Sequence, residues 1–566
     1  MPPAGALLHI GAGATIESGV DMRGWWIDGQ DLVVGEIRIG ANARVGSRTL
    51  LNPGSIVGEG AELEPGTVLS GEIPAGERWS GAPARRVGAA GDDWPVAAPP
   101  ATSRARHWGW LFGASLVLEG LIGLAEIGAV LGLFAVVGDG LPTLNSSFVG
   151  LAIDAAVVTA VTVPLSAILL ALMLRLVWRF VKPGWHDEHA PVGWALWFAN
   201  ELQQSFSTML FPLYASLYTR PWFRLMGLKV GRGTEISVTT GLNPLVSFGE
   251  LAQCTDDIGF CGVRSRDGWM AVEPIEVGDR CFLGPGSILR GGTRLDDDSL
   301  LGVMTLSPYR PAAGTSWLGT PALELPRVPD ATDASRTVNP PRRLKVARGV
   351  MDVIRLLVPN TIALLIEILE IVSLATLCAH FGLAVAIVAA PFVLITGGLV
   401  STAVTVAMKW MLIGRYRRSE HPLWCSFVWR DELMNAAQEQ LADEHLLRFA
   451  IGTPIMSMYL RAMGSKVGRG VWCETTAVTE YEMVNLGDGT AVNRGGCLMT
   501  HLFHDRLLRI GPTRLEAGAT LGPTGVVLPD THLGTGTRVF GHSVVLRGEE
   551  LPAGTRWHGT PVVALA

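Results

Sequence analysis

Aliphatic residues return at every sixth position in three separate stretches of the chain. They stand at Ile39, Val45, Leu51, Val57, Leu63 and Leu69, then at Val277, Leu283, Leu289, Leu295 and Leu301. They return at Leu515, Leu521, Val527, Leu533, Val539 and Val545, with Leu486, Val492 and Leu498 as a shorter run upstream. An α-helix of about 3.6 residues per turn would carry such a stripe round its surface. A triangular coil of short strands instead keeps it in one inward column, with Gly, Asn or Pro allowing the corners. The three stretches also close alike, in PAGERWSGAP at 74–83, PAAGTSWLGTP at 311–321 and PAGTRWHGTP at 552–561. The second and third share an entrance, FRLMGLKVGRG and LRAMGSKVGRG. The pattern predicts three copies of one coiled domain, made by duplication.

Between the copies the pattern changes to unbroken apolar runs at 110–136, 148–177, 356–379 and 383–413. Each is long enough to cross about 30 Å of hydrocarbon as a helix, which predicts two membrane hairpins and four spans. Arg104, Arg106, Arg175, Arg179 and Lys182 flank the first pair, and Arg342, Arg343, Lys345, Arg348, Lys409, Arg415, Arg417 and Arg418 flank the second. The connecting turns GDGLPTLNSS and HFG hold neither Lys nor Arg, so the positive-inside rule puts all three copies and both termini in the cytoplasm.

The organisation expected is a first coiled domain at 1–90, a linker at 91–106 and a hairpin at 107–182. Interfacial helices with the second domain fill 183–325, a linker 326–342, a second hairpin 343–415, and interfacial helices with the third domain 416–566. The stretches after each hairpin are Trp-rich, as suits a membrane interface, with His189 and His421 read as matching packing residues. Each hairpin carries carboxylates, Glu119 with Glu126 and Glu367 with Glu370, each pair sharing a helix face. Ionisable groups in a span are costly. They read either as an acidic conduit or docking surface for a cationic product, or as pairs that hold the bundle together.

Composition agrees with residence in lipid: of 566 residues 48% are hydrophobic and 17% charged, with a mean hydropathy of +0.33. The net charge of −6 gives no basic patch, which argues against nucleic acid as a partner. The seven cysteines form no C-x-x-C pair, so they read as reduced thiols rather than a zinc site or disulfide frame.

Chemistry concentrates in the third copy. The loop that leaves its coil reads MTHLFHDRLLRIGP, whereas GVDMRGWWIDGQD and FCGVRSRDGWMAVEP in the other copies lack histidine. One working site and two degenerate copies follow. His501, directly after the coil position Leu498, is the candidate general base, because an ordinary imidazole titrates near neutral pH. His504 and Asp505 lie on the turn beyond, and either could hold the base's second nitrogen. H-x-x-H-D also looks like a ligand cluster, but no further ligands stand at a recognisable spacing, so no metal is expected.

The six-residue pattern resembles the hexapeptide repeat of left-handed β-helix acyltransferases, which usually assemble as trimers, and the resemblance implies that the three copies pack as an intramolecular pseudo-trimer. KVGRGVWCET, NLGDGTAVNRGGCLMTHLFHDR, GATLGPTGVVLPD and PAGTRWHGTP resemble the C-terminal region of membrane-bound, single-module nonribosomal peptide synthetases of the ε-poly-L-lysine synthetase type. In that family, adenylation and carrier domains precede helices that alternate with three tandem acetyltransferase-like domains. The resemblance implies an acyltransferase of a bacterial inner membrane that joins carrier-bound aminoacyl thioesters to an amino-acid acceptor. It implies His501 as base and Asn493 as an acceptor-binding candidate. Since neither an adenylation core nor a carrier serine is found, a fragment of a larger synthetase, or a phosphopantetheine carrier and adenylation partner acting in trans, is expected. Two alternatives stay open: an acyl-CoA-dependent O- or N-acyltransferase acting on a sugar or lipid, and a non-catalytic membrane scaffold for a synthetase.

Overall fold

The computed structural model describes residues 4–100, 103–137, 147–326 and 333–565, with the backbone alone at 104, 121–122 and 124–137. It is a mixed helical and sheet structure with many parallel sheets. Three regions are stacks of two- to five-residue strands, and each region builds three sheets. Strands pair in parallel eighteen residues apart, as in Val45 with Leu63 and Leu521 with Val539, so three six-residue repeats make one turn of the stack. The sixth-position aliphatics form the inner columns: Val45, Leu63, Leu283, Leu301, Leu521 and Val539 have no measurable exposure. Burying each such side chain is worth about 1.5–3 kcal/mol, and the strict repeat applies that at every rung.

From each stack an antiparallel hairpin projects: Trp25–Asp28 with Asp31–Val34, Val263–Arg266 with Trp269–Val272, and His501–His504 with Leu507–Ile510. Each clasps the next copy. In the first hairpin Ile27 exchanges two backbone bonds with the Asn493 amide, at 2.8 and 2.7 Å, and Gly29 N donates to Thr520 Oγ1 at 2.7 Å. The middle hairpin sends Arg266 to Gly60 O at 3.1 Å and to the buried Glu62 at 3.2 Å of the first copy. The third sends Arg506 to Gly233 O at 2.8 Å and to Glu235 at 3.5 Å of the middle copy. Three contacts of one kind, each passed on to the next copy, close a ring. The three terminal loops also meet, with Ala82 N donating to Thr320 O at 2.9 Å and Thr320 N to Thr560 O at 3.2 Å.

Among the described residues, three helices are long and apolar enough to cross a membrane: 148–180, 342–381 and 383–412. A fourth expected span falls on the 34-residue helix Arg104–Val137, most of whose apolar side chains lie outside the described residues, as do Glu126 and the turn at 138–146. Glu119 is exposed. Glu367 is half exposed, 4.0 Å from His445, and Glu370 packs against Gly397, where a Cβ would strike its carboxylate.

Both expected linkers are in part docked structure. Trp94 is buried, its indole donating to Glu62 at 3.2 Å beside Arg44 and Arg264. Arg336 and Trp424 exchange backbone contacts, and Thr337 is fully buried. The Trp-rich stretches begin not as helix but as a third strand on the hairpins, Gly184–Asp187 and Ser419–Pro422. Register corrects the histidine pairing. His186 lies opposite Met270 and His421 opposite Leu508, so His421 matches His186, while His189 lies beyond the strand and bonds Asp187 at 3.2 Å.

Candidate active site

The third hairpin turns tightly, because Asp505 and Arg506 both take left-handed backbone angles, φ 44° and 62°. That turn matches the twist of its strands. His501 opens the hairpin where it leaves the coil. Val478 bridges Leu498 in parallel, so the segment after Val478 runs alongside the one after Leu498. This register brings Glu480 to His501, with Nδ1 3.0 Å from Glu480 Oε2 and 3.2 Å from Thr479 Oγ1. The same carboxylate oxygen accepts from Thr500 Oγ1 at 2.6 Å and Thr479 Oγ1 at 2.7 Å. Glu480 is wholly buried, while a fifth of the His501 side chain is open. In the neutral ring the carboxylate assigns the one proton to Nδ1 and leaves the lone pair on Nε2.

Burial alone would discharge His501. The adjoining Glu480 charge and hydrogen bond, with Asp431 and Asp256 behind them, outweigh it and lift the imidazole to about 9. Burial likewise opposes the Glu480 charge, yet the imidazole and the hydroxyl donors hold it below the ordinary carboxylate range. Asp431, which accepts from the Tyr416 hydroxyl at 2.6 Å, is pushed up to about 7, first by burial and then by the Glu480 charge. The resting pair is therefore imidazolium and carboxylate, charged despite burial because each holds the other.

His504 and Asp505 stand at the hairpin tip, and the nitrogen expected to face them faces Glu480 instead. His504 is three residues along the strand from His501, hence on the opposite face, and its ring meets Phe282 of the middle copy. Asn493 is corrected more fully. It is buried, and both of its N–H groups are taken, by Ile27 O and by Leu521 O at 3.0 Å, so it ties two copies together rather than lining an open site.

Glu480 was missed because a lone glutamate in TTAVTEYEM carries no motif, although counting the coil register from Leu498 back to Val478 reaches it. Hairpin register also locates the lost sites. His501 pairs with Ile510 as Val263 pairs with Val272 and Trp25 with Val34, so Val263 and Trp25 occupy its position. Pairing of the preceding strands places Gly241 beside Phe260 as Val478 lies beside Leu498, so Asn243 occupies the place of Glu480. The middle copy has a neutral amide and an apolar side chain where the third has the ionic pair.

No protein-family model matches the chain. It is 26% identical, over 99% of its length, to the delta-poly-L-ornithine synthetase of Acinetobacter baumannii (strain AB307-0294). The chain spans 43% of that relative's length.

Proposed function

We propose that the chain is a membrane-bound acyltransferase that forms amide bonds in the synthesis of a homopolymer of an amino acid, with His501 as general base. The observation that carries this reading is the buried Glu480 carboxylate on Nδ1 of a histidine whose side chain is one-fifth exposed. A thioester carbonyl is attacked by an amine. The C–N bond forms, the C–S bond breaks, and His501 Nε2 takes the amine proton and passes it to the departing thiolate, which leaves as the thiol. Glu480 orients the ring and stabilises its charge as the proton arrives. The similarity to a poly-ornithine synthetase along nearly the whole chain supports a polymer of this class as product.

On this reading the stacks are left-handed β-helices of the hexapeptide kind. The acyl donor is a phosphopantetheine thioester on a carrier, delivered with an adenylation partner either in trans or in a longer chain. The apolar helices sit in a bacterial inner membrane as four spans, with the stacks on the cytoplasmic side. The test offers membrane-embedded protein an aminoacyl-loaded carrier and, separately, acyl-CoA, and reads products by mass with and without His501→Ala. Oligopeptide that needs His501 supports the proposal. Acylation of a sugar or lipid from acyl-CoA, or no product, overturns it.

A further inference from the structure

Where the last apolar helix, Leu383–Leu412, meets the third stack there is a cavity of about 540 Å³. Arg418, Lys466, Asn485 and Arg514 line it, together with the apolar Met483 and Pro512. Lys466, Asn485 and Arg514 stand side by side on three successive rungs of one sheet. Rungs lie about 4.8 Å apart, so the two cations leave the backbone about 10 Å from each other with an amide between them. Both are exposed, and among the described residues neither has an ion-pair partner. Glu482 also reaches the cavity, but its carboxylate is already held, by Lys409 Nζ on one oxygen and by Tyr416 N at 3.3 Å on the other. Arg418 is shared with Asp530 at 3.3 Å. The cavity therefore combines surplus positive charge with an apolar wall.

Its place narrows the kind of anion it fits. Lys409, which holds Glu482, lies one turn from the end of the apolar helix. Beside it the exposed Trp410 donates its indole N–H to Ala462 O at 3.0 Å. Arg418 follows the helix end by six residues, at most about 20 Å of chain. Trp and Arg at the end of a span mark the headgroup layer. The middle copy supplies an internal comparison, since the same face there holds Lys229, Ser247 and Glu276, with Glu276 3.7 Å from Arg294. Arg514 thus stands where its duplicate has an acid, so the coil itself does not require a cation on this rung. Phosphate oxygens form charge-assisted hydrogen bonds with Arg and Lys, and basic pockets beside spans take the heads of anionic lipids. The phosphate of a carrier arm shares this chemistry, but contact with the helix end favours the bilayer as its source.

We propose that Lys466, Asn485 and Arg514, with Arg418 at the rim, bind the phosphate of an anionic phospholipid headgroup. The bound lipid ties the stack that carries His501 to the membrane surface. This assignment rests on the membrane placement proposed above and is independent of the acyl transfer.

The full chain in detergent is titrated with dioctanoyl phosphatidylglycerol and, separately, with dioctanoyl phosphatidylcholine, and bound lipid is counted by native mass spectrometry. Phosphatidylglycerol is expected to bind at least about tenfold more tightly. Two variants at these exposed positions are each expected to abolish that preference: Lys466→Gln combined with Arg514→Gln, and Arg514→Glu alone, which copies the charge of the middle copy. Lys229→Gln combined with Arg294→Gln, on the matching face of the middle copy, removes as much positive charge and is expected to keep the preference. Equal affinity for the two lipids, a preference that survives the cavity variants, or one lost as fully in the middle-copy variant overturns the site. Displacement of the lipid by an equal concentration of 4′-phosphopantetheine or inorganic phosphate overturns the lipid as occupant. Washing membranes with alkaline carbonate separates the two readings. A chain released by the wash refutes the membrane placement and this site with it, whereas a chain retained without lipid preference refutes the site alone.

Discussion

An imidazolium cannot accept a proton, so a base lifted to about 9 sets the pH dependence of the whole reaction. Transfer is expected to rise with pH through the neutral range and level off near 9, read as kcat/KM against pH with loaded carrier. Glu480→Gln removes the charge that holds the proton, so the rising limb should move down toward the ordinary histidine value of about 6.5 while the plateau falls, since the ring loses its orienting partner. His501→Ala should cost roughly 10²–10⁴-fold in rate at the plateau. The sign for stability runs the other way. A histidine whose folded value exceeds its unfolded one stabilises the protein fully below about 6.5, and that contribution disappears as pH rises through about 9. Wild-type protein should therefore lose melting temperature between those limits relative to His501→Ala, measured by differential scanning fluorimetry.

At the level of elements, the hairpins do two jobs, since the one that carries His501 also clasps the middle copy through Arg506. Asn493→Ala breaks the two bonds to Ile27 and leaves buried backbone groups without partners, which should cost about 1–3 kcal/mol of stability, seen as a lower melting temperature. Transfer at pH 9 should fall far less than in His501→Ala. The coils were legible in the sequence because each inward position repeats its demand for an aliphatic side chain every sixth residue. Glu480 was not, because its role comes from a neighbouring turn of the stack and a single polar residue leaves no period. His186 shows the same limit: composition matched His421 to His189, whereas strand pairing decides the match.

At the scale of the molecule, the outer part of the second apolar hairpin stands clear of the folded domains. Phe381, Leu383, Ile387, Val388 and Phe392 are all exposed, an arrangement water would oppose. On the other side Gly398 lies against His445 and Leu446 of the π-helix Gln438–Leu447, which seats that helix directly on the second hairpin. A reporter active only outside the cytoplasm, inserted at Gly382, is expected to be active, and the same reporter inserted at Gly548 inactive. The reverse pattern would refute the proposed orientation. The apolar runs announced themselves by length, but the docking of the π-helix depends on small residues facing one another, which no stripe reveals.

In an assembly of identical subunits, any inherited change appears in all three clefts at once. Here the ring of clasped hairpins is closed within one chain, so each cleft could drift by itself. Trp25 and Val263 could replace the imidazole in two of them without silencing the third, and the vacated clefts were free to take up other work.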